Sequence, residues 1–113
     1  MIFITGPLYS GKRTFAQKLA HALPGTPKKM LSDVQNLAAD AADLPALADR
    51  LAGEYDILIA TEVGGGVVPM DAKQRAAREA AGRLACLLAA RAGCVVQMFC
   101  GIPAILKGEL PKC

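Results

Sequence analysis

Seven residues near the start of the chain, Gly6-Pro7-Leu8-Tyr9-Ser10-Gly11-Lys12, have the composition and spacing of a loop that grips phosphate. The two glycines let the backbone close around an anion, successive N–H groups and a following helix N-terminus donate to it, and the lysine neutralises its terminal oxygens. The next residue is Arg13, where such loops place Ser or Thr. That hydroxyl ordinarily ligates Mg²⁺, and a guanidinium has no lone pair to offer. Thr14 is a poor substitute, because it lies about 100° further round a helix. A second chemical candidate is Glu62, which directly follows the apolar run Asp56 to Thr61. A carboxylate beyond the end of a parallel strand can hold Mg²⁺ through water or orient a nucleophile. Its plainer role is a solvated or helix-capping glutamate.

These groups depend on the elements that carry them. Met1 to Thr5 is a short apolar run rich in β-formers, fit for a buried parallel strand. From Lys12 the period changes, with Phe15, Leu19 and Leu23 on one helical face until Pro24-Gly25. Strand, glycine loop and helix are in the order a phosphate site requires; the alternative is a glycine-rich turn before an ordinary helix. Pro24 to Lys29 reads as a connection and Lys29 to Leu31 as a short second strand. Ser32 and Gln35 have capping-box spacing, which predicts a helix through Asn36 to Ala42. Asp43 and Pro45 then open another helix, with Leu44, Leu47, Ala48 and Leu51 on one face and its end at Gly53. Asp56 to Thr61 is a strong strand, followed by the permissive Gly64-Gly65-Gly66. Met70 to Ala92 carries the longest helical pattern, with Ala77, Ala80, Ala81, Leu84, Leu87 and Leu88 on one face and Arg75, Arg78, Glu79 and Gly82 on the other. A mid-helix glycine costs about 1 kcal/mol against alanine, which predicts close packing at Gly82. Arg75 and Arg78 suit phosphates or a partner subunit, or form a solvated face. Cys94 to Cys100 reads as the last core strand, with an apolar tail from Gly101 to Leu106.

Bulk properties narrow the class. The 113 residues predict one domain, residues 1–113, and 53% hydrophobic against 20% charged residues predict a folded core. With no Trp and five Phe plus Tyr there is no stacking platform for single-stranded nucleic acid, and a dispersed net charge of +3 argues against a nucleic-acid partner while suiting an anionic ligand. Cys86, Cys94, Cys100 and Cys113 form no C-x-x-C pair and accompany a single histidine, which argues against zinc and for small core residues of a reduced protein. No signal-like segment precedes the loop and no apolar run approaches the roughly 18 residues of a membrane span, so the expectation is a cytoplasmic protein without a membrane partner.

Two further segments carry a specific resemblance. Residues 61–69, TEVGGGVVP, and 101–107, GIPAILK, resemble the Asn-Glu-Val-Gly-x-Gly-x-Val-Pro and Ser-Gly-Ile-Pro-x-x-x-Lys segments of the cobinamide kinase/cobinamide-phosphate guanylyltransferase family. Arg75, Arg78, Glu79, Gly82 and Arg83 fall at that family's spacing between them. The resemblance covers residues 1–23 and 56–107. It implies an α/β, P-loop NTPase-like three-layer sandwich with a mostly parallel sheet of about four to five strands. It also implies ATP or GTP as nucleotide, a cobinamide-type corrinoid as phosphate acceptor, GMP transfer from GTP to the resulting phosphate, and a homo-oligomer. Carried onto this chain, Lys12 and Glu62 are the candidate catalytic residues. Gly6, Pro7, Leu8, Tyr9, Ser10, Gly11, Lys12, Arg13 and Thr14 are the nucleotide-binding ones; no metal ligand is assigned, and Arg13 speaks against Mg²⁺.

The chain departs from the family pattern at several positions. It is shorter, without the segment that carries the Walker-B acidic strand and the histidine that takes GMP covalently; His21 lies on the first helix and does not match that histidine. Thr61 stands for the family's Asn, and Ala85-Cys86 for its Asn-Gln. Phosphoryl transfer is therefore favoured over guanylyl transfer, which lacks a matched nucleophile. The alternatives are a nucleotide-binding module in which Arg13 supplies a fixed cation in place of metal, and an oligomeric interaction domain with a vestigial pocket.

Overall fold

The computed structural model describes residues 1–7, 11–22, 29–61 and 71–109. Their elements are β1 (Ile2–Gly6), α1 (Lys12–Ala22), β2 (Met30–Leu31), a 3₁₀ turn (Val34–Leu37), α2 (Leu44–Glu54), β3 (Ile57–Thr61), α3 (Ala72–Arg91), β4 (Cys94–Phe99) and β5 (Ile102–Lys107). They form one five-stranded sheet in the order β2-β3-β1-β4-β5. β1 to β4 are parallel and β5 is antiparallel to β4.

The alternation along each strand divides the core into two layers. Phe3, Leu58 and Val95 face α2 and α3, where they meet Leu51, Leu84 and Leu88. Ile4, Ile57, Ile59 and Val96 face the other way, onto Ala16 and Leu19 of α1. Being apolar on both faces is what a parallel strand covered by helices on both sides requires. The result is the expected P-loop NTPase-like α/β sandwich.

Helix ends follow local chemistry. Asp43 caps α2 by accepting from the Ala46 N–H at 3.2 Å, and Asp71 caps α3 by accepting from the Gln74 N–H at 2.8 Å. Pro45 falls in the first turn of α2, where its missing N–H costs nothing. At the far end of α3, Lys107 Nζ reaches over from β5 and donates to the Ala89 and Ala90 carbonyls, both at 3.1 Å. A cation on the last carbonyls of a helix satisfies orphan acceptors and opposes the helix dipole. The lysine of the GIPAILK segment thus ties the edge strand to the helix.

Several sequence expectations are corrected. The Ser32/Gln35 capping box does not form: the 3₁₀ turn is preceded by Asp33 in the left-handed region (φ 58°, ψ 39°) with no side-chain cap, and no helix extends through Asn36 to Ala42. The Gln35 amide is used elsewhere, on β3. β4 is not the last strand, because the segment after it turns back as β5. Cys100 and Gly101 form the two-residue turn, both at positive φ (51° and 76°), the geometry that suits the twist of a hairpin. Pro103 does not break β5 because an edge strand needs no ladder from its outer side. Cys94 is buried as expected, but Cys86 and Cys100 are exposed, the first on the outer side of α3 and the second in the hairpin turn. Gly82 is not closely packed either; a Cβ there would meet nothing within 4 Å.

Candidate functional site

The parallel register Gly6↔Thr61 ends β1 and β3 side by side. Whatever follows each strand therefore emerges at one edge of the sheet, the crevice where open α/β sheets bind ligands. Gly6 is buried at the end of β1, and Pro7 is half-buried just beyond it. Leu8, Tyr9 and Ser10, and likewise Glu62, lie outside the described residues.

Gly11 enters α1 at φ +88°, a conformation that disfavours any side chain. Its open side faces the hairpin turn: a Cβ there would sit 3.4 Å from the Gly101 Cα and 3.9 Å from the Met98 methyl. The β4–β5 turn thus backs the end of the loop, an arrangement not expected from sequence. The Gly11 carbonyl accepts the first helical hydrogen bond, from the Phe15 N–H at 3.0 Å.

Lys12 opens α1 and is 7% exposed. Its Nζ donates to the Pro7 carbonyl at 2.7 Å, reaching back across the loop. A buried ammonium needs such acceptors, and this one holds the cation beside Pro7, just beyond the end of β1. Arg13 and Thr14 are both exposed. Arg13 Nη2 donates to Asp33 Oδ2 at 3.1 Å.

That contact brings in two residues, Asp33 and Gln35, that the sequence did not mark as site residues. Asp33 follows β2, and so occupies the same edge of the sheet as the loop. Its other oxygen, Oδ1, lies 3.5 Å from Gln35 Nε2, at the limit of a hydrogen bond. Gln35 Oε1 accepts from the Thr61 backbone N–H at 3.0 Å, capping the open end of β3. A chain of polar contacts therefore runs from α1 through the β2 edge to the last residue of β3. The signal available beforehand was position: an acid directly beyond a parallel strand, the rule already applied to Glu62. The apparent capping box drew both residues into a helix instead.

Two hollows adjoin this edge and α3. A cavity of about 140 Å³ lies between strand ends and helix, lined by Thr5, Gln35, Thr61 and Ala85 among others. A wider groove of about 1360 Å³ runs between residues 41–45 and α3, with Arg75, Arg78 and Arg83 along it and Gly82 shared with the smaller cavity. The wider groove is larger but holds neither loop nor strand-end residues, so the chemistry is assigned to the sheet edge. Arg83 is engaged by Glu79 at 2.9 Å, one helical turn away.

The donors described at this edge do not fit Mg²⁺ in its usual P-loop place. Arg13 stands at the hydroxyl position and offers no oxygen, Asp33 is engaged with that arginine, and among the described residues no three His, Cys, Asp or Glu are grouped as a metal would need.

Comparison with known proteins agrees with the second-half motifs. Residues 26–106 match the family model of cobinamide kinase / cobinamide phosphate guanyltransferase. The chain belongs to this family. The match spans the β2 edge with Asp33 and Gln35, TEVGGGVVP and most of GIPAILK, and it begins after the phosphate loop. The reading of residues 6 to 14 therefore rests on their own pattern and on their position at the sheet edge. Both activities in the family's name use a nucleotide. No curated protein matches the chain. Among the described residues no helix is long and apolar enough to cross a membrane.

Proposed function

We propose that this chain binds ATP or GTP on residues 6 to 14 and transfers its terminal phosphoryl group to the hydroxyl of a cobinamide-type corrinoid. The observation that carries the reading is Lys12, buried at the start of α1 and turned back onto the Pro7 carbonyl, in a chain of this family. Backbone N–H groups of the loop and the α1 N-terminus would hold the β and γ phosphates. Lys12, exchanging the carbonyl for phosphate oxygen, would offset charge on the transferring group. Glu62 would take the acceptor's proton and align its oxygen. A new bond then forms between that oxygen and phosphorus, the bond to the bridging oxygen breaks, and the nucleoside diphosphate leaves. No step is assigned to Mg²⁺. Guanylyl transfer is the weaker part, since His21, at position 10 of the 11-residue α1, is far along the helix from the loop. The same reading makes residues 1–113 one cytoplasmic domain that assembles with further copies of itself.

The test is consumption of ATP and of GTP on adding cobinamide, with Mg²⁺ and with chelator, in wild type and Lys12→Ala. Cobinamide-dependent turnover lost in the variant is the expected result. No turnover in any arm would refute the kinase reading.

A second reading, a nucleotide-binding module without turnover, is supported by Arg13 standing at the metal-ligand position and engaged by Asp33. Calorimetry would reveal it as Lys12-dependent nucleotide binding in a protein that turns nothing over.

A further inference from the structure

The mismatch between this site and Mg²⁺ points to what stands in for the metal. We propose that Arg13 is the fixed cation for a metal-free nucleoside polyphosphate, and that Asp33 competes with the phosphates for its guanidinium. The inference rests on residues 6 to 14 being the nucleotide site.

Arg13 is the residue after Lys12 in the first turn of α1, so its side chain starts at the helix N-terminus. A guanidinium keeps its charge at all relevant pH values, and its planar fork matches two phosphate oxygens at once. Polyphosphate usually arrives with its charge offset by a divalent ion. Two adjacent side-chain cations, Lys12 and Arg13, together with the helix N-terminus, would supply comparable neutralisation here.

The guanidinium is held by Asp33 Oδ2 at 3.1 Å. The two side chains are 70% and 44% exposed, so the pair is weakly held. A phosphate bearing more charge than a carboxylate can displace it. Asp33 itself is constrained: its backbone lies in the left-handed region, and its second oxygen approaches Gln35, whose other amide atom is bonded to the end of β3. The carboxylate is therefore kept at the edge of the site instead of capping the turn that follows it. Beside Arg13 lies a hollow of about 360 Å³, lined also by Gln17, Met30, Ser32 and Ile59, so the guanidinium is not packed in on that side.

The experiment is calorimetric titration of ATP with excess chelator and with Mg²⁺, on wild type, Lys12→Ala, Asp33→Asn, Arg13→Ala and the Arg13→Ala/Asp33→Asn double variant. Asparagine tolerates the left-handed backbone, so Asp33→Asn removes charge with the turn preserved. Expected are chelator-insensitive binding in wild type, affinity raised about threefold to tenfold in Asp33→Asn, and affinity lowered by roughly tenfold or more in Arg13→Ala, the size of a lost charge-assisted hydrogen bond. In the double variant the gain from Asp33→Asn should vanish, because it acts through Arg13. Simple repulsion between Asp33 and phosphate would instead leave the gain intact, and that result overturns the proposal. Strict Mg²⁺ dependence, or unchanged affinity in Asp33→Asn, overturns it too. Binding that is lost in Lys12→Ala but indifferent to Asp33 sinks this inference alone, whereas absence of any ATP binding in wild type sinks the nucleotide site with it.

Discussion

Replacing Gly11 by alanine should destabilise the protein through one residue's backbone, by an amount the structure bounds. Gly11 sits at φ +88°, and the left-handed side of the backbone map costs an L-residue about 1–2 kcal/mol. The added methyl would approach the Gly101 Cα to 3.4 Å and the Met98 methyl to 3.9 Å, at the edge of ordinary van der Waals contact. Steric overlap therefore adds little, and the backbone term decides the outcome. Unfolding entropy near 2.1 cal/mol/K per residue, taken over the chain, converts this into a fall in Tm of about 4–8 °C. Gly101→Ala is the companion measurement, because that glycine has φ +76° and open space where the methyl would go. If strain alone acts, the two variants lose similar amounts in thermal unfolding followed by circular dichroism. A Gly11→Ala variant melting within a degree of wild type would refute the reasoning, since the loop would then enter α1 by a conformation that alanine accepts. A loss for Gly11→Ala far above that for Gly101→Ala would show that the hairpin presses on the loop more tightly than 3.4 Å implies.

Gln35→Met should leave the Thr61 N–H without its acceptor, costing about 1–3 kcal/mol in denaturant unfolding and speeding hydrogen exchange at that amide; unchanged protection of Thr61 would mean that Gln35 does not cap β3. Burial raises the Cys94 thiol above its ordinary value of 9.0, against a smaller opposing effect of the N-terminal charge, so the folded state holds this proton after the unfolded chain has lost it. Stability from Cys94 is thus full below the unfolded pKa and declines as pH rises from there toward the folded value. The Tm advantage of wild type over Cys94→Ala should shrink between pH 8 and pH 10, and a constant advantage would count against it.

The sandwich was legible in the sequence because its main elements are long, strongly patterned or both. The runs at Ile2–Gly6, Ile57–Thr61 and Cys94–Phe99 are apolar on both faces, which only a sheet covered on both sides accommodates. The faces of α2 and α3 repeat their leucines and alanines at helical spacing, and Asp43 and Pro45 mark where α2 begins. β5 was missed because its signals are ambiguous: Cys100-Gly101 is an unusual pair for a two-residue hairpin, and Pro103 reads as a breaker until the strand is known to lie at an edge.

By itself the sequence determined the phosphate-loop pattern, the family motifs in the second half, and the substitution of Arg13 for a metal-ligating hydroxyl, since all of these are local in the chain. Tertiary structure alone decided what Arg13 meets. Its partner Asp33 is 20 residues away, and Gln35 reaches Thr61 across a separation of 26. No periodicity encodes such contacts; they arise because β1 and β3 end together at one edge of a parallel sheet and the residues after β2, which runs beside β3, lead to that same edge. The same assembly set Gly101 against Gly11, and so joined the β4–β5 turn to the start of the first helix.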